Sequence, residues 1–79
     1  MYPVIKNVQA QDDYTLFLVY ENDEKRQMDM KPFLNHKAFQ HLADIDVFKS
    51  VRTSFDTLEW GNEIDIDPEF LYQNSKRIA

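Results

Sequence analysis

Leu58-Glu59-Trp60-Gly61-Asn62-Glu63-Ile64-Asp65-Ile66-Asp67-Pro68-Glu69-Phe70-Leu71-Tyr72 reads as a strand, a turn and the start of a helix, and it decides the fold class. The Asp67 carboxylate can accept from the free N–H groups of a first helical turn. Pro68 fits the first helical position, where its ring already holds φ near the helical value and no donor is lost. Glu69 then faces the positive end of the helix dipole. Downstream, Phe70, Leu71, Asn74 and Ile78 keep helical spacing, and Gln73, Lys76 and Arg77 close the predicted helix at its negative end. Asp65 is read as holding the turn before the cap.

Upstream, Val51, Thr53 and Phe55 alternate with Arg52 and Ser54. Ser50 to Phe55 is therefore a predicted strand, turned by Asp56-Thr57 into a second at Leu58 to Trp60. Phe39, Leu42 and Ala43 are spaced as one face of a short helix within Phe33 to Ala43, with Asn35 as its candidate cap. Another helical turn opening at Asp44 or Asp46 would carry Val47 and Phe48. Pro32 ends the strand before it.

The N-terminal half predicts three strands: Val4 to Ala10, Tyr14 to Tyr20, and about Glu24 to Met30. On the first, Val4 and Val8 share one face and Ile5 takes the other; Gln11-Asp12-Asp13 supplies the turn that follows. The turn length at Glu21-Asn22-Asp23 sets the register of the next hairpin. A two-residue loop would place Met28 and Met30 beside Phe17 and Val19. A three-residue loop places Met28 opposite Leu16 and gathers Tyr14, Leu16, Leu18, Tyr20, Met28 and Met30 on one face, leaving Lys25, Gln27 and Asp29 on the other. The second register buries the larger apolar set and requires a left-handed Asp23. It also leaves Phe17 and Val19 on the polar face as a candidate interaction surface, open to the chain's own loops, a partner or a second copy.

These elements predict an α+β fold: a small antiparallel sheet of two hairpins plus an N-terminal strand, short helices in the middle, and a C-terminal helix. A chain of 79 residues is expected to form a single domain spanning 1–79, burying only about 60–65% of the surface of its unfolded form. One Trp, four Tyr and six Phe supply the interior, with Trp60 expected inside and its indole N–H bonded to a carbonyl. The formal net charge is −5 with scattered basic residues. That field opposes direct nucleic-acid binding and favours a basic protein partner. The chain has no cysteine, so disulfides, thiolate metal sites and cysteine nucleophiles are excluded. Leu16 to Tyr20 is the longest apolar run, far below the ~20 residues of a membrane span. No secretory leader is visible, and a cytoplasmic location is expected.

The order of landmarks resembles that of the bacterial family called domain of unknown function 2442, over nearly the full chain. The carrying residues are Leu16, Leu18 and Tyr20 before Asn22-Asp23-Glu24; Met28-Asp29 and Pro32; Phe39, Leu42, Phe48 and Val51; then Leu58-Glu59-Trp60, Asp65-Ile66-Asp67-Pro68-Glu69 and Leu71-Tyr72. The resemblance implies a compact α+β fold with an antiparallel sheet, and it brings no catalytic residues. Asp23 and Glu63 stand where the family often has Gly. Some members resemble sensor domains fused to a helix-turn-helix module, and others lie beside a second small domain as in toxin–antitoxin pairs. Ending at Ala79, this chain is expected to lack the DNA-binding module, so regulation would require a partner.

Candidate chemistry is sparse. His36 and His41 are five residues apart, about 140° around a helix, which serves metal ligation poorly. Asp65, Asp67 and Glu69 alternate like calcium ligands but lack the remaining donors of an EF-hand loop. Glu59 and Glu63 are a conceivable acid–base pair without an arguable pocket. With Gly61 the only glycine, no phosphate-cradling loop can be built. No metal or cofactor is expected. The expected function is a non-enzymatic module that binds another protein or a second copy, in an antitoxin-like or regulatory pair. The alternatives are a DNA-associated accessory protein acting through a partner and a small ligand-binding domain or hydrolase. Phe17 and Val19 are the candidate interaction surface, and Trp60, Asp65, Asp67, Pro68 and Tyr72 the structural motif.

Overall fold

The structure is a computed structural model that describes residues 2–61 and 64–79; the expectations placed on Asn62 and Glu63 lie outside the described residues. The fold is α+β, but the two hairpins do not share one sheet. The first sheet contains β1 (Ile5–Ala10), β2 (Thr15–Tyr20), β3 (Lys25–Asp29) and the terminal β7 (Lys76–Arg77), in the order β1-β2-β3-β7. The second contains β4 (Arg52–Ser54), β5 (Thr57–Trp60) and β6 (Ile64–Asp65), in chain order. All pairings are antiparallel. Helices α1 (Ile45–Phe48) and α2 (Pro68–Asn74) complete the architecture, with 3₁₀ segments at Lys31–Phe33 and Lys37–Ala43.

The β2–β3 hairpin has the register that its three-residue loop requires. Leu16 stands opposite Met28, the Asp23 N–H donates to the Tyr20 carbonyl at 2.9 Å, and Asp23 has φ 67°. Leu16, Leu18, Tyr20, Met28 and Met30 are buried together. The β1–β2 turn uses the same device: Gln11 N–H donates to Thr15 O at 2.8 Å, Tyr14 N–H donates to Gln11 O at 3.2 Å, and Tyr14 has φ 65°. Tyr14 is therefore the last residue of the turn and not the first of the strand. Its ring lies 5.2 Å from that of Phe48, and its hydroxyl donates to the Ala43 carbonyl.

On β1 the expected alternation fails for a physical reason. Ile5 pairs with Tyr20 but Asn7 pairs with Val19, so Lys6 is the extra residue of a β-bulge. The bulge reverses the parity of everything before it. Ile5, expected opposite Val8, is buried on the core side, where the half-buried Val8 also packs, whereas Val4 is exposed.

The middle segment caps one residue later than expected. His36, not Asn35, precedes the Lys37–Ala43 turns, its Nδ1 accepting from the Ala38 N–H at 3.3 Å. The turn begun at Lys31 runs on through His36, whose N–H donates to Phe33 O at 3.0 Å, so Asn35 lies inside it. Of the two starts considered, Asp44 and Asp46, it is Asp44 that caps α1, accepting from Asp46 N–H at 3.0 Å. Phe39, Leu42 and Phe48 enter the core, and Trp60 is buried with its indole N–H donating to the Phe48 carbonyl at 2.9 Å.

At the C-terminus Asp67 caps α2, accepting from Phe70 N–H at 2.9 Å with Pro68 in the first turn. Asp65 does not hold a turn; it belongs to β6, opposite Glu59. The final helix stops at Asn74 rather than running to Ile78. Ser75 turns extended (φ −90°, ψ 161°), and Lys76 and Arg77 pair with Gln27 and Arg26 instead of ending the helix.

Candidate functional site

The expected surface, Phe17 and Val19, lies on the outer face of the first sheet beside Gln9, Asn7, Gln27 and Lys25. Both residues are half-buried. Phe17 borders a polar depression of about 450 Å³ with Gln11, Asp12, Asp13, Thr15 and Gln27.

On the opposite side of the sheet, Glu24, Arg26, Tyr72 and Ser75 form a closed cluster. Glu24 is 8% exposed and Ser75 5%. The Arg26 guanidinium donates to the Glu24 carboxylate, to Ser75 Oγ at 2.6 Å and to the Ser75 and Tyr72 carbonyls at 2.8 and 3.2 Å. It also lies 4.1 Å from the centre of the Tyr72 ring, whose hydroxyl donates to Glu24 at 2.9 Å. The hydrogen bond from Arg26 holds the Glu24 carboxyl below its ordinary value; Tyr72 and Asn22 act in the same direction and burial opposes them. The same bond to Glu24 raises the Tyr72 hydroxyl, and burial adds to it. Arg26 thus bonds one carbonyl in the last turn of α2, that of Tyr72, and the carbonyl of the cap residue Ser75, where the helix stops. The sequence signal was parity: Glu24 and Arg26 share the inward face of Met28 and Met30. Nearby, burial pushes the Tyr20 hydroxyl up to about 12.

A third region is apolar and open. Phe33, His36, Ala38, Phe39, Asp67 and Phe70 line a groove of about 490 Å³. Phe33 and Phe70 meet edge to face at 5.3 Å, and His36 lies 5.7 Å from Phe39. Sequence reasoning missed this set because its rings come from both 3₁₀ segments and α2, whose relative placement no local pattern encodes. The β4–β5 hairpin is tied to the residue before the groove-lining Asp67: Thr57 Oγ1 donates to the carbonyl of Ile66. At that turn Phe55 has φ 55° and is 96% exposed. Tyr2 shares a depression with Glu69, Tyr72 and Gln73. Desolvation raises its hydroxyl first, and the fields of Asp56, Asp67 and Glu69 raise it further.

Other candidates are dispersed. Glu59 is ion-paired with Arg52 at 2.9 Å, Asp67 is engaged as a cap, and Glu69 accepts from Gln73 at 3.1 Å. His41 is exposed in the last turn of its 3₁₀ segment. Among the described residues, no group of three or more His, Asp or Glu side chains is placed to hold a metal ion, and no helix is long and apolar enough to cross a membrane.

The sequence model of the family described as "Protein of unknown function (DUF2442)" matches residues 5–77. The chain belongs to this family. The match runs from the first residue of β1 to the last of β7, so the family pattern covers both sheets and the groove between the 3₁₀ segments and α2. No curated protein and no solved structure matches the chain.

Proposed function

We propose that this chain is a non-enzymatic, cytoplasmic interaction module that binds another protein through the groove of Phe33, Phe39 and Phe70, as one half of an antitoxin-like or regulatory pair. The groove carries the reading: three phenylalanine rings border one open depression, and a concave aromatic surface gains most from a partner's apolar side chain. The Phe17 and Val19 face is the secondary surface in this reading, because its rim is polar and its apolar area small. Replacement of Phe70 or Phe17 by the photoreactive benzoylphenylalanine, followed by illumination in the native cell, tests it. Position 70 is expected to capture one discrete protein and position 17 none. Capture at position 17 with none at 70 would refute it.

A further inference from the structure

Three residues other than glycine adopt a left-handed backbone among the described residues: Tyr14, Asp23 and Phe55. Each non-glycine residue in this region carries a steric cost. Asp23 is of a type that tolerates it. Tyr14 is repaid by the Phe48 ring and the Ala43 carbonyl. Phe55 has neither compensation, since its ring is 96% exposed. A large apolar side chain held in solvent on a strained turn contributes nothing evident to the fold, and strain of this kind gathers where a surface works on something else.

Two residues on from Phe55, Thr57 donates to the carbonyl of Ile66, which ties this turn to the residue before the groove-lining Asp67. Asp67 lines the groove, Glu69 follows it in the first turn of α2, and Asp56 follows Phe55 in the tied turn. The area therefore combines apolar contact with negative charge. Among the described residues, those bordering the groove belong to the 3₁₀ segments, α2 and their caps, and none to a strand. An occupant would find no ladder for its backbone there, a condition met by a helix, which satisfies its own N–H and C=O groups. A second copy would bring a like-charged rim and a net charge of −5 against this one, which opposes close approach.

We propose that the groove and the Phe55 tip together receive a basic amphipathic helix of a different protein, its apolar side chains seated on Phe33, Phe39, Phe55 and Phe70 and its lysines or arginines facing Asp56, Asp67 and Glu69. This rests on the interaction reading above and adds the chemistry of the partner.

The test titrates the isotopically labelled full chain with three synthetic peptides of about 18 residues, long enough for five helical turns: a Leu/Lys amphipathic helix, its Leu/Glu counterpart, and a Lys/Gln peptide without apolar residues. Backbone resonances of Phe33, Phe39, Phe55 and Phe70 should move with the Leu/Lys peptide alone. Its affinity should fall about fivefold or more between low and moderate salt. It should fall by a similar factor, about fivefold, in the Asp67→Asn, Glu69→Gln double variant. Asn caps as well as Asp, so that variant loses charge while keeping α2. Phe55→Ser should weaken the same peptide, and its exposed position keeps the core intact.

Equal binding of the Leu/Glu or Lys/Gln peptide, shifts confined to the Phe17 and Val19 face, or concentration-dependent dimerisation through the groove without peptide would each overturn the proposal. A discrete crosslink at position 70 combined with indifference to peptide charge would leave the interaction reading standing and remove only the basic helix. No crosslink combined with no peptide shift would remove both.

Discussion

Tyr14, the last residue of the β1–β2 turn, and Phe55, the first of the β4–β5 turn, are both aromatic residues in a left-handed backbone, and they differ in what the ring does next. Tyr14 turns inward, meets Phe48 at 5.2 Å and bonds the Ala43 carbonyl; Phe55 points into solvent. The steric cost is of the same kind at both positions, about 1–2 kcal/mol. One turn recovers it within the molecule. The other leaves it standing, which is the pattern expected where selection acts on binding instead of stability. The comparison separates a strained residue whose ring supports the fold from one whose ring meets only solvent.

The largest expected effect that sharpens the contrast is at Tyr14. Tyr14→Gly relieves the backbone but removes the ring, and chemical unfolding should show a net loss of about 2 kcal/mol. If Tyr14→Gly instead stabilises, the Phe48 contact does not repay the strain and the two turns are alike. Tyr14→Phe keeps the ring and loses only the bond to Ala43, for an expected loss of about 1 kcal/mol in the same assay. At Asp23, whose residue type already tolerates the conformation, replacement by Gly should change stability by less than about 0.5 kcal/mol. A larger gain there would mean that strain at Asp23 is also unrepaid.

Acid should distinguish the closed polar cluster from both turns. Glu24 is held below its ordinary value of 4.5 by Arg26, so it binds a proton less readily in the folded chain than in the unfolded one. Its contribution is therefore fully present above about pH 4.5 and is lost as pH falls through the lower folded value. Melting temperatures measured down the acid range should fall more steeply for the natural chain than for Glu24→Gln, which carries no such group. Parallel curves would show that Glu24 does not couple the cluster to folding.

Legibility in the sequence followed the range of the interactions. The β2–β3 register, the left-handed Asp23 and the Asp67-Pro68 helix start depend on neighbours a few residues away, and each could be read from loop parity or cap chemistry. Trp60 was legible because a small interior needs its largest ring. The Lys6 bulge was hidden, since one extra residue reverses which of Ile5 and Val4 faces inward without altering the local pattern. The length of α2 was hidden as well. Arg26, 49 residues before Ser75, bonds the Tyr72 carbonyl and that of the cap Ser75, and Lys76 and Arg77 pair with β3 beyond it. The division into two sheets depends on such distant contacts too. The groove was not legible because Phe33, Phe39 and Phe70 meet only after the two 3₁₀ segments and α2 have packed. Phe55 was misread as a strand residue: its alternation with Val51 and Thr53 continues one step past the point where the chain turns.

The most direct test is the urea unfolding midpoint of Phe55→Gly. If Phe55 stands in solvent at a cost, Gly at φ 55° should raise stability by about 1 kcal/mol at an unchanged slope of denaturant dependence. A lower midpoint would show that the ring supports the fold and would contradict the assignment of Phe55 to a partner.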